Sequence, residues 1–218
     1  MKKILLICFV LMFSQWIWGK ETRLVVRVKA HDAKFVGSSL GGAFVAIKDH
    51  QTGVLLASGL TKGSTGNTGL IMKTPRERGM PIADDQTAAF RASLDIEEPV
   101  FVTIEVTSPA NLKQAQVVSS TQLWLIPGKH IEGDGVVLVV PGFIIDILKP
   151  RTHHYIALKD VQKEPFLLRA NIVMMCGCTI ERGGLWNADS MEVKALHKNY
   201  HYYPGILRVC LIRFQTLI

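Results

Sequence analysis

Residues 42–60 read GAFVAIKDHQTGVLLASGL. Ala43, Val45 and Ile47 fall at every second position, the spacing of a strand that buries one face. The polar residues 50–53 interrupt, and the alternation returns at Val54, Leu56 and Ser58. Thr52-Gly53 between two strand-like runs reads as a β-hairpin, because glycine supplies the positive φ a tight turn needs.

The same period recurs along the chain. Residues 23–30 (RLVVRVKA) place Leu24, Val26 and Val28 on one side and Val25, Arg27 and Lys29 on the other, the pattern of a half-buried strand. Further strands are expected at 101–106 (FVTIEV), 116–120, 122–126, 136–140 and 143–148. Ser108-Pro109, Pro127-Gly128, Gly133-Asp134-Gly135 and Pro141-Gly142 punctuate them. Roughly eight short strands with no long 3.6-residue periodicity predict an all-β sandwich. Residues 62–99 break the rhythm: rich in Gly, Thr and charge at first, they regain alternation at Phe90, Ala92, Leu94 and Ile96, an expected extra strand. So long a loop inside a compact domain is either functional or misassigned.

The chain has 218 residues, 48% of them hydrophobic and 20% charged, with four cysteines. That composition excludes a disordered chain, a collagen and a disulfide scaffold. Lys2 and Lys3 precede an unbroken apolar run at 4–13 (ILLICFVLMF), and Gly19 suits the last removed position of a secretory signal peptide. Ile17 is bulkier than that pattern prefers, so an uncleaved single anchor is the alternative. A signal peptide over 1–19 predicts a periplasmic or secreted protein. Its removal takes two lysines and no acid, so the net charge of +7 falls to +5. No further stretch has the length for a multi-span membrane protein. Scattered basic residues and an aromatic share of 8% argue against a nucleic-acid partner.

From Val25 to Thr68 the order is strand, Gly-containing turn, small-residue strand (GGAFVAIKD), Thr-Gly turn, strand (VLLASGLT) and a Gly/Thr loop (KGSTGNTG). This stretch resembles the opening of the transthyretin-like or carboxypeptidase-regulatory-like domains of exported proteins. The resemblance implies an Ig-like sandwich serving as a binding, spacing or assembly module, with no catalytic residue to carry over. The long excursion after Thr68 departs from the family's pattern, and a general Ig-like sandwich explains the strand-and-turn order of residues 25–68 equally well.

Residues 174–178 (MMCGC) stand out chemically. Thiolates and thioethers select Cu(I), so Met174, Met175, Cys176 and Cys178 form a candidate copper site. Alternation along a strand lets only one methionine share a side with it. The competing reading packs both methionines in the core and pairs Cys176, Cys178 or Cys210 in a disulfide, leaving one thiol over. His153-His154 reads as solvated linker, and His197 and His201 lie in a segment whose YHYYP run favours extended structure. Residues 59–69 (GLTKGSTGNTG) lack the Gly-Lys-Ser/Thr ending of a phosphate loop and read as turns. No nucleophile elbow or zinc-protease motif is present, and Glu97-Glu98 before Pro99 reads as a solvated strand entry, so no catalytic residue and, apart from the copper alternative, no cofactor are expected.

Lys149-Pro150 marks the expected boundary between a sandwich at 20–149 and a short β module at 150–218, with strands at 166–175 and 191–196. The basic, apolar run at 205–218 (GILRVCLIRFQTLI) leads to the expectation that this module is truncated or frame-altered. The reading is an exported, non-catalytic binding or assembly module of the cell envelope. Its partner is another envelope protein or a surface glycan, and its expected contacts are Lys62, Ser64, Thr65, Asn67, Lys73, Arg76 and Arg78. A soft-metal or thiol-redox protein is the first alternative, an enzyme with a dispersed site the second.

Overall fold

A computed structural model describes residues 19–151, 155, 157, 159 and 167–193. The fold is all-β, and the described residues form nine strands: β1 (Lys20–Ala30), β2 (Phe44–Asp49), β3 (Leu55–Leu60), β4 (Phe90–Ile96), β5 (Val100–Ser108), β6 (Val117–Leu125), β7 (Ile131–Val140), β8 (Phe143–Lys149) and β9 (Arg169–Met174). They form a three-stranded sheet in the order β4-β1-β7, a four-stranded sheet β3-β2-β5-β6 and a two-stranded sheet β8-β9. All pairings are antiparallel except that of β1 with β7.

The alternating apolar residues explain the sandwich. Leu24, Val26 and Val28 of β1, Ala92, Leu94 and Ile96 of β4, and Val45, Ile47, Val102, Ile104 and Val106 of β2 and β5 are all buried in one cluster. Burying each larger aliphatic side chain contributes about 1.5–3 kcal/mol, which is why strand faces of this kind close on one another. The hairpin at 50–53 forms as expected. Asp49 Oδ1 accepts from the Gln51 and Thr52 amides at 3.0 and 2.7 Å, and Gly53 takes a φ of 72°.

Four local readings change. Across the hairpin Ile47 pairs with Ala57 but Lys48 with Leu55, so Leu56 is an extra residue in a β-bulge. The bulge inverts the parity of β3, and Ser58 faces outward opposite Ala46 while Ala57 and Gly59 share the core side. Residues 116–120 and 122–126 belong to one strand, β6, because Thr121 continues the ladder opposite Ile104. Gly133-Asp134-Gly135 lies within β7, where residues 131–136 oppose only 24–26 of β1. Finally, β1 is buried on both faces: Val25 and Arg27 are covered as well as Leu24, Val26 and Val28.

The segment 62–89 supplies that cover. It carries a single π-helical turn at Gly69–Lys73, bridges Lys62 to Ala89 and Ser64 to Thr87, and buries Ile71 and Ile82 with Phe35 in a second small core. The Arg27 guanidinium, 2% exposed, donates to the carbonyls of Asp84, Thr87, Ala88 and Gly133. Asp134, on the bulged part of β7, accepts from the amides of Ile82 and Ala83 at 3.0–3.1 Å. The excursion is therefore a third layer over the three-stranded sheet.

β8, on the near side of Lys149-Pro150, pairs with β9 on the far side. Ile144, Met174, Met175, Cys176 and Ile180 join the main core, and Trp186 Nε1 donates to the Asp32 carbonyl at 2.9 Å. No helix among the described residues is long and apolar enough to cross a membrane. The expected signal segment, except Gly19, and the run at 205–218 lie outside the described residues, as do His153, His154, His197, His201 and Cys210.

Candidate binding surface

The outer face of β3-β2-β5-β6 is open to solvent, and its cross-strand neighbours form rows. One end is apolar, with Phe44 between Leu60 and Thr107, and Thr107 opposite Val118. The middle is polar. Ala46 lies between Ser58 and Glu105, Glu105 is opposite Ser120, and Thr103 sits between Lys48 and Gln122. Lys48 Nζ approaches Glu105 Oε1 at 3.7 Å, an exposed pair.

The far end carries three rings. Phe101 of β5 is opposite Trp124 of β6, their centroids 5.1 Å apart at 40°, and the His50 ring meets Phe101 edge-on at 4.9 Å and 75°. These separations are those of favourable aromatic pairs. His50 Nδ1 lies 2.8 Å from Thr103 Oγ1, which fixes the imidazole against the sheet. Trp124 remains 56% exposed. An indole of that size, held from one side by a second ring and open on the other, offers a flat apolar plate beside hydroxyl, amide and charged groups.

The residues expected to make contacts occupy the opposite side of the sandwich, on the layer above β1. Lys62, Ser64, Asn67, Lys73, Arg76 and Arg78 are exposed and Thr65 is half-buried. Several serve the loop itself: the Thr65 carbonyl accepts from the Phe35 amide at 3.2 Å, Ser64 Oγ from the Gly66 amide and Asn67 Oδ1 from the Leu70 amide. Lys73, Arg76 and Arg78 form the freely exposed basic end. Burial, reinforced by the Arg76 charge, moves the Lys29 ammonium below the usual lysine range.

The sulfur-rich segment divides. Met174 lines a cleft of about 380 Å³ with Met72, Met191, Phe143, Trp186 and His31, whereas Met175 Sδ lies 3.8 Å from the Ser108 hydroxyl. Cys176 and Cys178 face each other with their Sγ atoms 2.7 Å apart. Among the described residues no group of three or more His, Cys, Asp or Glu side chains is placed to hold a metal ion.

The ring cluster was the signal passed over in the sequence. Phe101 and Trp124 sit at outward positions, opposite in parity to the buried Val102 and Ile104 of β5 and Leu125 of β6, where an exposed strand face is ordinarily polar. No family model matches the chain, and no curated protein or solved structure matches it either.

Proposed function

We propose that this chain is an exported, non-catalytic β-sandwich of the Ig-like or transthyretin-like kind that binds a polysaccharide of the cell envelope. Contact is through the outer face of β3-β2-β5-β6. Export rests on the leader pattern at 1–19. The observation that carries the binding reading is the exposed Trp124 plate braced by Phe101 and His50 at the end of a polar sheet face.

A pyranose presents apolar C–H edges above and below its ring and hydroxyls around it. An indole stacks on the first and Thr103, Gln122, Ser120 and the Lys48–Glu105 pair hydrogen-bond the second. A protein partner is less well served. Stable protein interfaces centre on a contiguous apolar patch, and here polar rows separate Leu60, Phe44 and Val118 from Phe101 and Trp124. The sheet supplies rigidity, so little ordering cost falls on the protein.

Affinity electrophoresis of the full chain through gels containing soluble envelope polysaccharide, with sedimentation on purified peptidoglycan, tests this. Retardation or co-sedimentation that falls about tenfold or more in Trp124→Ala and Phe101→Ala is expected, a loss of about 1.4 kcal/mol or more in binding. No retention on any polysaccharide, or retention unchanged in the double variant, would overturn the proposal.

A further inference from the structure

At the end of β9 the chain folds back over Met174–Cys178. The Gly177 amide donates to the Met174 carbonyl at 2.8 Å and the Met174 amide to the Cys178 carbonyl at 3.0 Å. Gly177 adopts φ 81°, in the left-handed region that favours glycine. The turn is held from outside by the Met175 amide, which donates to the Gly142 carbonyl at 2.6 Å. Its consequence is the sulfur contact: two thiols 2.7 Å apart, within reach of the roughly 2.05 Å of a bond. Cys176 is buried and Cys178 is half-buried, so one sulfur of the pair meets solvent and the other does not.

We propose that Cys176 and Cys178 are a reversible thiol–disulfide pair, oxidised by exchange with a low-molecular-weight disulfide of the glutathione type and reduced by the corresponding thiol. In the forward direction the Cys178 thiol loses its proton and its sulfur attacks the reagent disulfide. The reagent S–S bond breaks and one thiolate leaves. A mixed disulfide on Cys178 results. Cys176 then gives up its proton, its sulfur attacks Cys178 Sγ and the second reagent thiolate departs. Two electrons and two protons have passed from the protein to the reagent, leaving two reagent thiols and one intramolecular disulfide. Reduction reverses each step, the external thiolate approaching through solvent-accessible Cys178.

The bond would close a loop with a single intervening residue. So short a closure restricts the unfolded chain little, and the turn is already held by Gly142 and its own hydrogen bonds. The bond would therefore add little to the stability of the fold, and its formation and loss would leave the fold in place. Burial and the neighbouring Cys176 push the Cys178 thiol up to about 12. Its thiolate fraction, and with it the exchange rate, rises about tenfold per pH unit between pH 7 and 10.

The test is peptide-level mass spectrometry of the reduced full chain after exposure to oxidised glutathione and quenching with iodoacetamide. The expected product is a 176–178 peptide lighter by two hydrogens and free of carbamidomethyl and glutathione. In Cys176→Ser, glutathione should accumulate on Cys178; in Cys178→Ser, Cys176 should stay unmodified under native conditions. Alkylation of both cysteines after oxidation would overturn the proposal. So would a peptide joining either to Cys210, a glutathione adduct persisting on the unsubstituted chain, or tight stoichiometric Cu(I) binding by the pair that blocks oxidation. The unsubstituted chain alone decides between these results, so the proposal stands or falls even if a serine variant fails to fold. Polysaccharide retention is read separately, and its failure would leave this outcome interpretable.

Discussion

Asp84 shows how much of the third layer rests on a single exposed carboxylate. Its Oδ1 accepts from Thr87 Oγ1 at 2.6 Å and from the amides of Gln86 and Thr87, and these bonds, that from the Thr87 hydroxyl foremost, hold it below the usual carboxylate range. A depressed folded value contributes stability that is present above the unfolded value, about 3.9, and lost as pH falls through the lower folded one. Asp84→Asn should therefore shallow the acid limb of the stability–pH curve below about pH 4, read from urea midpoints across that range, and leave neutral ligand binding unchanged. Asp49, hydrogen-bonded by Thr52 and the Gln51 amide in the hairpin turn, acts with the same sign and remains as the internal reference. Trp124 contributes differently: it is exposed, so Trp124→Ala should alter the urea midpoint little while removing binding.

The layer over β1 depends on Arg27, whose charge is sequestered among four carbonyls. Burial moves the guanidinium below the usual arginine range, yet it stays a cation. Arg27→Met leaves those carbonyls without their donor and should cost about 2–4 kcal/mol, with proteolysis accelerated first within 62–89. In β3, a Cβ on Gly59 would lie 2.6 Å from Phe90 Cε2 of the facing β4, so Gly59→Val should cost about 1–3 kcal/mol by thermal melt. Both sites mark where sequence reading stopped short. Period two located β1, β2, β4 and β5 because their inward residues, such as Leu24, Val26 and Val28 or Val102, Ile104 and Val106, are aliphatic, whereas β8 was legible from its apolar run at 143–148 although Asp146 takes an inward position. It failed at the bulges, where an extra residue in β3 and three in β7 reset parity without any compositional mark. Arg27 looked like a solvent-facing strand residue since its partners are backbone carbonyls 57 to 106 residues away, which no local pattern encodes.

Among the described residues the sandwich has one clad side and one bare side. The 62–89 segment covers the three-stranded sheet, and the four-stranded sheet keeps its outer face open. The β8-β9 sheet continues the main core through Ile144, Met174, Met175, Cys176 and Ile180, so β8, β9 and the turn after β9 pack as an extension of the sandwich. The basic loop and the aromatic face consequently point in opposite directions, and a ligand bound at one should leave the other unperturbed. Two-dimensional amide NMR of the labelled protein titrated with an envelope polysaccharide that retards it in a gel separates them. Shifts confined to β2, β5 and β6 around Phe101, Thr103, Gln122 and Trp124, with the Trp124 indole N–H moving most, are the predicted result. Shifts confined to Lys62, Lys73, Arg76 and Arg78, or none at saturating polysaccharide, would contradict it.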